Sequence, residues 1–194
     1  MIIAALMMAA AAVTAEPAAA VEPTAAELIE NCRAMLPQRL EASGRVIVRN
    51  RRGIVKSEHA YVLKRDGGLT ALTLDGNAVT NLAIEGSAVC WSDLTLEYLG
   101  WKDVAYDAAA EEESVHGQKC RVVVLREGER RVRAWIDRKT GALMQAEETA
   151  ADGSVRRLWG TRLKKFNERW VPSVLEVETV GTGLRTKITV EEMK

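Results

Sequence analysis

Histidine is nearly missing from this chain, with two in 194 residues. His59 follows Glu58 in an extended run and His116 precedes Gly117 at a turn, so neither stands at metal-ligand spacing from a second His or Cys. Net charge is missing too: 27 basic residues balance 27 acidic ones for a formal +0. That leaves no whole-chain basic footprint for nucleic acid. No G-x-S-x-G elbow, P-loop or dinucleotide fingerprint occurs. The acidic run Glu111–Glu113 lacks the interleaved Asp or Asn and the glycine turn of a calcium loop. These absences speak against an enzyme and against a resident cofactor or metal. A hydrolase remains a remote alternative, to be tested at His59 and His116.

Cysteine is scarce and odd in number: Cys32, Cys90 and Cys120. None of the spacings is that of a zinc or thiol-redox motif. A Cys90–Cys120 disulfide is one arrangement; three small buried residues is the one the spacing favours.

Long apolar runs are confined to the start. Residues 1–15, MIIAALMMAAAAVTA, end in Val13-Thr14-Ala15, a small-x-small cleavage pattern followed by Glu16-Pro17. The run falls short of the ~20 apolar residues of a membrane span, so it reads as an export signal that is removed. No Lys or Arg precedes it, and a start codon further upstream would supply one. No cysteine at the junction offers a lipid anchor. Residues 16–23 read as a linker and 24–194 as one domain, soluble and periplasmic after cleavage.

What the chain has in quantity is alternation. Thr24-Ala25-Ala26-Glu27 is a capping box that opens a helix. Leu28, Cys32, Met35, Leu36 and Leu40 form one apolar stripe at helical spacing. Pro37 kinks or ends that helix and Ser43-Gly44 stops it. From Arg45 onward, runs of period two alternate with polar turns: RVIVRN, IVKSEHAYVLKR, LTALTLD and VTNLAIE. CWSDLTLEYLGW breaks the rhythm with a short helix from Leu94 to Leu99, capped by Ser92 or Asp93 and ended by Gly100. The meander then resumes, for about ten strands in all. Pro172 marks an edge, a bulge or the start of regular pairing in its strand.

The strands carry one apolar face each: Val122 and Val124; Val132, Ala134 and Ile136; Val171, Leu175 and Val177; Leu184, Ile188 and Val190. The opposite face holds Arg121, Arg133, Arg185 and Lys187, and Trp135 points to that side. A sheet apolar on one side must be covered there, and about ten strands tend to curl. The fold class is therefore mostly β (α+β): a curved antiparallel sheet forming an unclosed barrel, with helices over its concave apolar face. Arg and Lys on consecutive strands form either a patch for anionic lipid or a solvated face paired with Glu127, Glu129, Glu147 and Glu148. Cross-strand pairing favours the second.

The C-terminal half carries a recognisable succession: SDLTLEYLGW, HGQKCRVVVL, RVRAWIDRKTGALMQAEE, DGSVRRLWGTRLKKFNERWVPSVLEV and RTKITVEEM. In order and spacing it resembles the LolA-like outer-membrane lipoprotein-sorting proteins over about Cys90 to Met193. The resemblance implies an unclosed barrel that binds acyl chains under its helices and a role in carrying lipoproteins or related lipids across the periplasm, with inner- and outer-membrane partner proteins. Together with the apolar face, it nominates a lining of Leu28, Met35 and Leu36 from the first helix and Leu94 and Leu99 from the second. Val124, Val132, Ile136, Leu175 and Ile188 come from the sheet. The alternative is an envelope protein-binding or sensor module of the same fold without lipid cargo.

Overall fold

A computed structural model describes residues 22–194 except Gly68, Glu111, Asn167 and Glu168, and only the backbone of Arg169 and Trp170. The expected signal and most of the linker lie outside the described residues. The capping box forms as read: Thr24 Oγ1 accepts from the Glu27 amide at 3.2 Å, and Glu27 Oε2 accepts from the Thr24 amide at 2.7 Å. Two amides with no intrahelical partner are thereby satisfied. Helix α1 runs Ala25–Ala34 and buries Ala25, Leu28, Ile29 and Cys32.

The helix ends sooner than its stripe suggests, because Pro37 cannot continue it. Strand β1 (Arg39–Arg49) already begins at the residues expected to finish the helix. Gly44 does not stop a helix but sits inside β1 at a register shift. A Cβ there would fall 1.8 Å from the Thr189 carbonyl oxygen, so only glycine allows β1 to pass so close to its neighbour. Strands β2 (Val55–Asp66) and β3 (Leu69–Leu74) follow the expected runs. The next run shrinks to β4 (Asn77–Val79), and Leu82, Ala88 and Val89 turn inward from an irregular connection. Helix α2 is shorter than expected, Trp91–Thr95. Leu96 takes a left-handed conformation (φ 53) that separates α2 from a 3₁₀ turn, Glu97–Gly100.

The remaining strands are β5 (Asp103–Tyr106), β6 (Glu112–Val115), β7 (Gln118–Glu127), β8 (Arg130–Asp137), β9 (Leu143–Thr149), β10 (Val155–Phe166), β11 (Arg169–Thr179) and β12 (Leu184–Met193). All twelve join one antiparallel sheet in the order β4-β3-β2-β1-β12-β11-β10-β9-β8-β7-β5, with β6 also on β7. The sheet is not closed into a barrel, as the alternation predicted. Pro172 lies outside the β12 ladder, which starts at Val174, so its missing N–H costs no bond there.

Strands β4 and β5 occupy opposite ends of the sheet. The segment between them, residues 80–102, therefore has to cross from one edge to the other, and it does so over the apolar face. That crossing, together with α1, makes the cover. It divides the core in two. Beneath α1 and the 3₁₀ turn, Val123 and Leu125 of β7, Val132, Ala134 and Ile136 of β8 and Ala146 of β9 pack with Leu28, Ile29, Tyr98 and Leu99. Beneath the irregular connection and α2, Val46, Leu63, Leu72, Leu158, Val177 and Ile188 pack with Leu82, Val89 and Leu94.

The other face of the sheet is a ladder of charges. Arg133 meets Asp107 at 2.7 Å, Arg157 meets Glu147 at 2.6 Å and Glu178 at 3.2 Å, and Arg185 meets Glu178 at 3.2 Å. Trp135 does point to this side, but it is buried there, with Arg133 stacked 4.7 Å above its ring and its indole N–H donated to Glu113 at 2.7 Å. Arg133, Arg157 and Arg185 of this face are thus paired; of the acidic partners nominated from the sequence, Glu147 is here, while Glu148 lies on the covered face opposite Val132.

Candidate functional site

Between the two covers lies a groove of about 730 Å³. It runs from the end of α1 across the β2–β3 hairpin to α2 and the 3₁₀ turn. Leu36, Trp91, Leu96 and Leu99 form its apolar wall. Leu96 packs against both core clusters, so this wall is the seam where the two halves of the interior meet. Its size falls within the range of roughly 300–1,000 Å³ typical of small-molecule sites.

The polar wall is mostly self-satisfied. Arg33 pairs with Glu30 at 2.6 Å, and Glu97 pairs with Arg130 at 2.9 Å. Arg65, from the end of β2, is different. Its Nη2 donates to the Thr95 carbonyl at the end of α2, and burial pulls its pKa down. Among the described residues it has no carboxylate partner.

Behind the groove, on the same face of the sheet, is a buried polar cluster. Glu148 of β9 accepts from Ser92 Oγ at 2.8 Å, from Arg130 Nε at 2.9 Å and from Arg156 Nη2 at 2.6 Å. Asp93 lies 3.5 Å from the same Arg156 nitrogen and accepts from the Cys90 amide at 2.7 Å. Burial pushes the Asp93 carboxyl up by more than Arg156 and the Cys90 amide pull it down. Burial acts on Glu148 in the same sense, but the Ser92 hydroxyl and the two arginines outweigh it and hold Glu148 below the usual carboxylate range. The Tyr98 hydroxyl is buried without a hydrogen-bond partner among the described residues, and burial, followed by the nearby Asp93 charge, drives its pKa well upward.

This cluster explains the S-D-L segment physically: Ser92 and Asp93 clamp the crossing segment to β9 and β10. The sequence nominated either of them as a helix cap, but Cys90 takes that position and both lie inside α2. A signal for the clamp existed, because Glu148 and Arg156 fall on the same strand parity as the apolar Ala146 and Leu158. Charges on an apolar face have to be paired from above.

The nominated lining residues divide between the halves. Leu28, Leu99, Val132 and Ile136 are buried together under α1, with Leu36 packed against them and opening onto the groove. Leu94 and Ile188 are buried in the other cluster, with Leu175 against it. Met35 caps α1 and is 44% exposed, with its methyl group directed at the β8–β9 turn, 3.6 Å from where a Gly141 Cβ would be. Val124 has to be corrected. It pairs with Arg133, two positions along from the Val122–Trp135 pair, and so faces the charge ladder rather than the helices. Val123 and Leu125 take the inward positions. The run Val122–Leu125 is apolar on both faces, so its alternation could not show which valines point inward.

All three cysteines are free, and Cys120 lies in the cluster on the charged face of the sheet. Burial pushes the Cys32 and Cys90 thiols up to about 11, which keeps them protonated and unreactive. Among the described residues, no group of three or more His, Cys, Asp or Glu is arranged to hold a metal ion. His59 is half-buried and its Nδ1 meets Asp75 at 2.7 Å, while His116 occupies a turn with φ 49. No described helix is long and apolar enough to cross a membrane.

A protein-family model described as "Uncharacterized protein" matches residues 81–194, more than half of the chain. The chain belongs to that family. Those residues hold α2, the buried polar cluster and every strand from β5 to β12, so the family's shared part includes one wall of the groove. No curated protein matches the sequence. Solved structures do match in fold. A LolA superfamily protein from Nitrosomonas europaea superposes with a TM-score of 0.69 at 13% identity, over 89% of this chain and 94% of that one. A putative outer membrane lipoprotein-sorting protein domain from Vibrio parahaemolyticus gives 0.64 at 11%, over 88% and 91%. A DUF1329 family protein from Desulfovibrio piger gives 0.63 at 14%, over 88% and 91%. The family member described here therefore has the LolA-like fold that its C-terminal motifs resemble.

Proposed function

We propose that the protein is a periplasmic, non-enzymatic carrier or binding protein for the acyl chains of lipoproteins or other lipids. Partner proteins at the inner and outer membranes would load and unload it. The observation that carries this reading is the seam: an open groove with an apolar wall, lying between two separate covers of one apolar sheet face. The fold shared with a lipoprotein-sorting domain supports it.

The interior is filled by its own side chains, so an acyl chain enters from the groove by displacing a cover. Lifting α1 re-exposes Leu28 and Ile29, at a cost of roughly 1.5–3 kcal/mol each. An acyl chain gains about 0.8 kcal/mol per buried CH₂, so about four to eight methylenes offset the two side chains. The nominated residues Leu36 and Leu99 are met first, then Leu28, Val132 and Ile136. Leu94, Leu175 and Ile188 follow only if the chain crosses the seam.

The same close packing supports a second reading, an envelope protein-binding module without lipid cargo. Mass spectrometry of lipid co-purifying with protein exported to the periplasm, with displacement of a fluorescent fatty-acid probe, separates the two. Bound lipid and displacement are expected. An empty protein that captures a specific envelope protein and ignores the probe would refute the carrier reading.

A further inference from the structure

Arg65 is the one charge in the groove wall that the chain leaves without a counter-ion among the described residues. Arg33 and Glu30 neutralise each other, and Glu97 is held by Arg130. A guanidinium placed beside apolar surface pays for partial desolvation and recovers most when it meets a carboxylate or phosphate in a forked pair. The Thr95 carbonyl occupies one of its five donors. The others are open to a ligand lying along Leu36, Trp91, Leu96 and Leu99, which share the groove with Arg65.

We propose that the groove binds a single-chain amphiphile with one negative charge, a long-chain fatty acid, with its carboxylate on Arg65 and its chain entering the seam past Leu96. This rests on the lipid-binding reading above and names the ligand class for that site. One unmatched guanidinium balances one negative charge; a headgroup with several charges would leave the rest uncompensated. The groove's volume of about 730 Å³ lies within the range of sites for single small molecules, and Leu96 in its apolar wall packs against both clusters. Arg65 also reaches α2, so a carboxylate that takes up the guanidinium competes with the Thr95 carbonyl and weakens a bond between the β2–β3 hairpin and the crossing segment.

The test uses the exported, delipidated full-length protein and two probes of equal chain length, dodecanoate and 1-dodecanol, titrated at pH 8 by isothermal calorimetry. Dodecanoate is expected to bind at least tenfold more tightly. In Arg65→Gln, which retains a donor for Thr95, dodecanoate should weaken at least tenfold while 1-dodecanol is unchanged. Arg65→Lys should restore part of the preference as a point charge without the fork. Circular dichroism confirms that each variant is folded. Equal binding of the two probes to the wild type would overturn the headgroup assignment while leaving lipid binding in place. So would an equal loss of both in Arg65→Gln. Tighter, Arg65-dependent binding of phosphatidylglycerol would overturn the single-chain assignment. If neither probe nor phosphatidylglycerol binds, the inference falls together with the carrier reading.

Discussion

The two halves of the sheet are covered in different ways. Helix α1 lies on β7, β8 and β9 through Ala25, Leu28, Ile29 and Cys32, and its own polar side chains are largely used within the helix, as in the capping box and the Glu30–Arg33 pair. Among the described residues, no ion pair joins Ala25–Ala34 to a strand. The polar ties on this side come just before the helix, where the Tyr106 hydroxyl donates to the Pro23 carbonyl and Glu22 pairs with Arg121 and with Arg138. The connection over the other half is held by buried directional bonds. Thr186, with no exposed surface, accepts from the Ala88 amide at 3.0 Å and meets the Ser87 hydroxyl at 3.1 Å. Ser92 and Asp93 then fix α2 to Glu148 and Arg156. Apolar contact is non-directional and can be exchanged for an acyl chain; a buried hydrogen bond left open is costly. On the proposed carrier reading, the difference would make α1 the cover that yields and the crossing segment the one that stays.

The largest effect should come from cutting the fixed side. Asp93→Ala leaves the Cys90 amide without its acceptor and Arg156 with Glu148 as its one carboxylate, for an expected loss of about 3–5 kcal/mol of stability in urea denaturation. On the yielding side, Ile29→Ala should cost about 2–5 kcal/mol through the cavity it leaves. Its distinguishing mark is that α1 amides exchange faster while residues 87–93 do not. Thr186→Val strands the buried Ala88 amide, costs about 1–3 kcal/mol and should have the reverse mark, loosening the connection and sparing α1.

Acid sharpens the same contrast. Glu148 titrates below its unfolded value, so its ionised form adds stability that is fully present above the unfolded pKa of about 4.3 and is lost as the pH falls through the folded value. Asp93, shifted upward, works in the opposite sense and loses its unfavourable charge first. Glu148→Gln should therefore flatten the fall in stability below about pH 4. The smallest effect is Thr24→Ala, at about 1 kcal/mol, which frays the start of α1 and should raise fatty-acid probe binding slightly rather than abolish it.

Much of this molecule was legible because its strands alternate. The capping box at Thr24, the hairpin from Arg130 to Thr149 and the inward set Val132, Ala134 and Ile136 all follow from local periodicity and turn chemistry. What escaped depends on partners distant in sequence. Val124 could not be assigned a side within a run apolar on both faces; only its register with Arg133 decides it. Gly44 resembled a helix stop because its true reason is the Thr189 carbonyl, 145 positions along the chain in the numbering. The Glu148–Arg156–Asp93 cluster was hidden because pairing across three elements leaves no local motif. Arg65 was hidden for the opposite reason, since it is defined by a missing partner.

Native-state hydrogen exchange on the lipid-free protein tests the central claim most directly. The account predicts that α1 amides open with a free energy well below that of β1 and β12, while residues 87–93 open only with the sheet. Exchange of residues 87–93 at or below the opening free energy of α1 would contradict it.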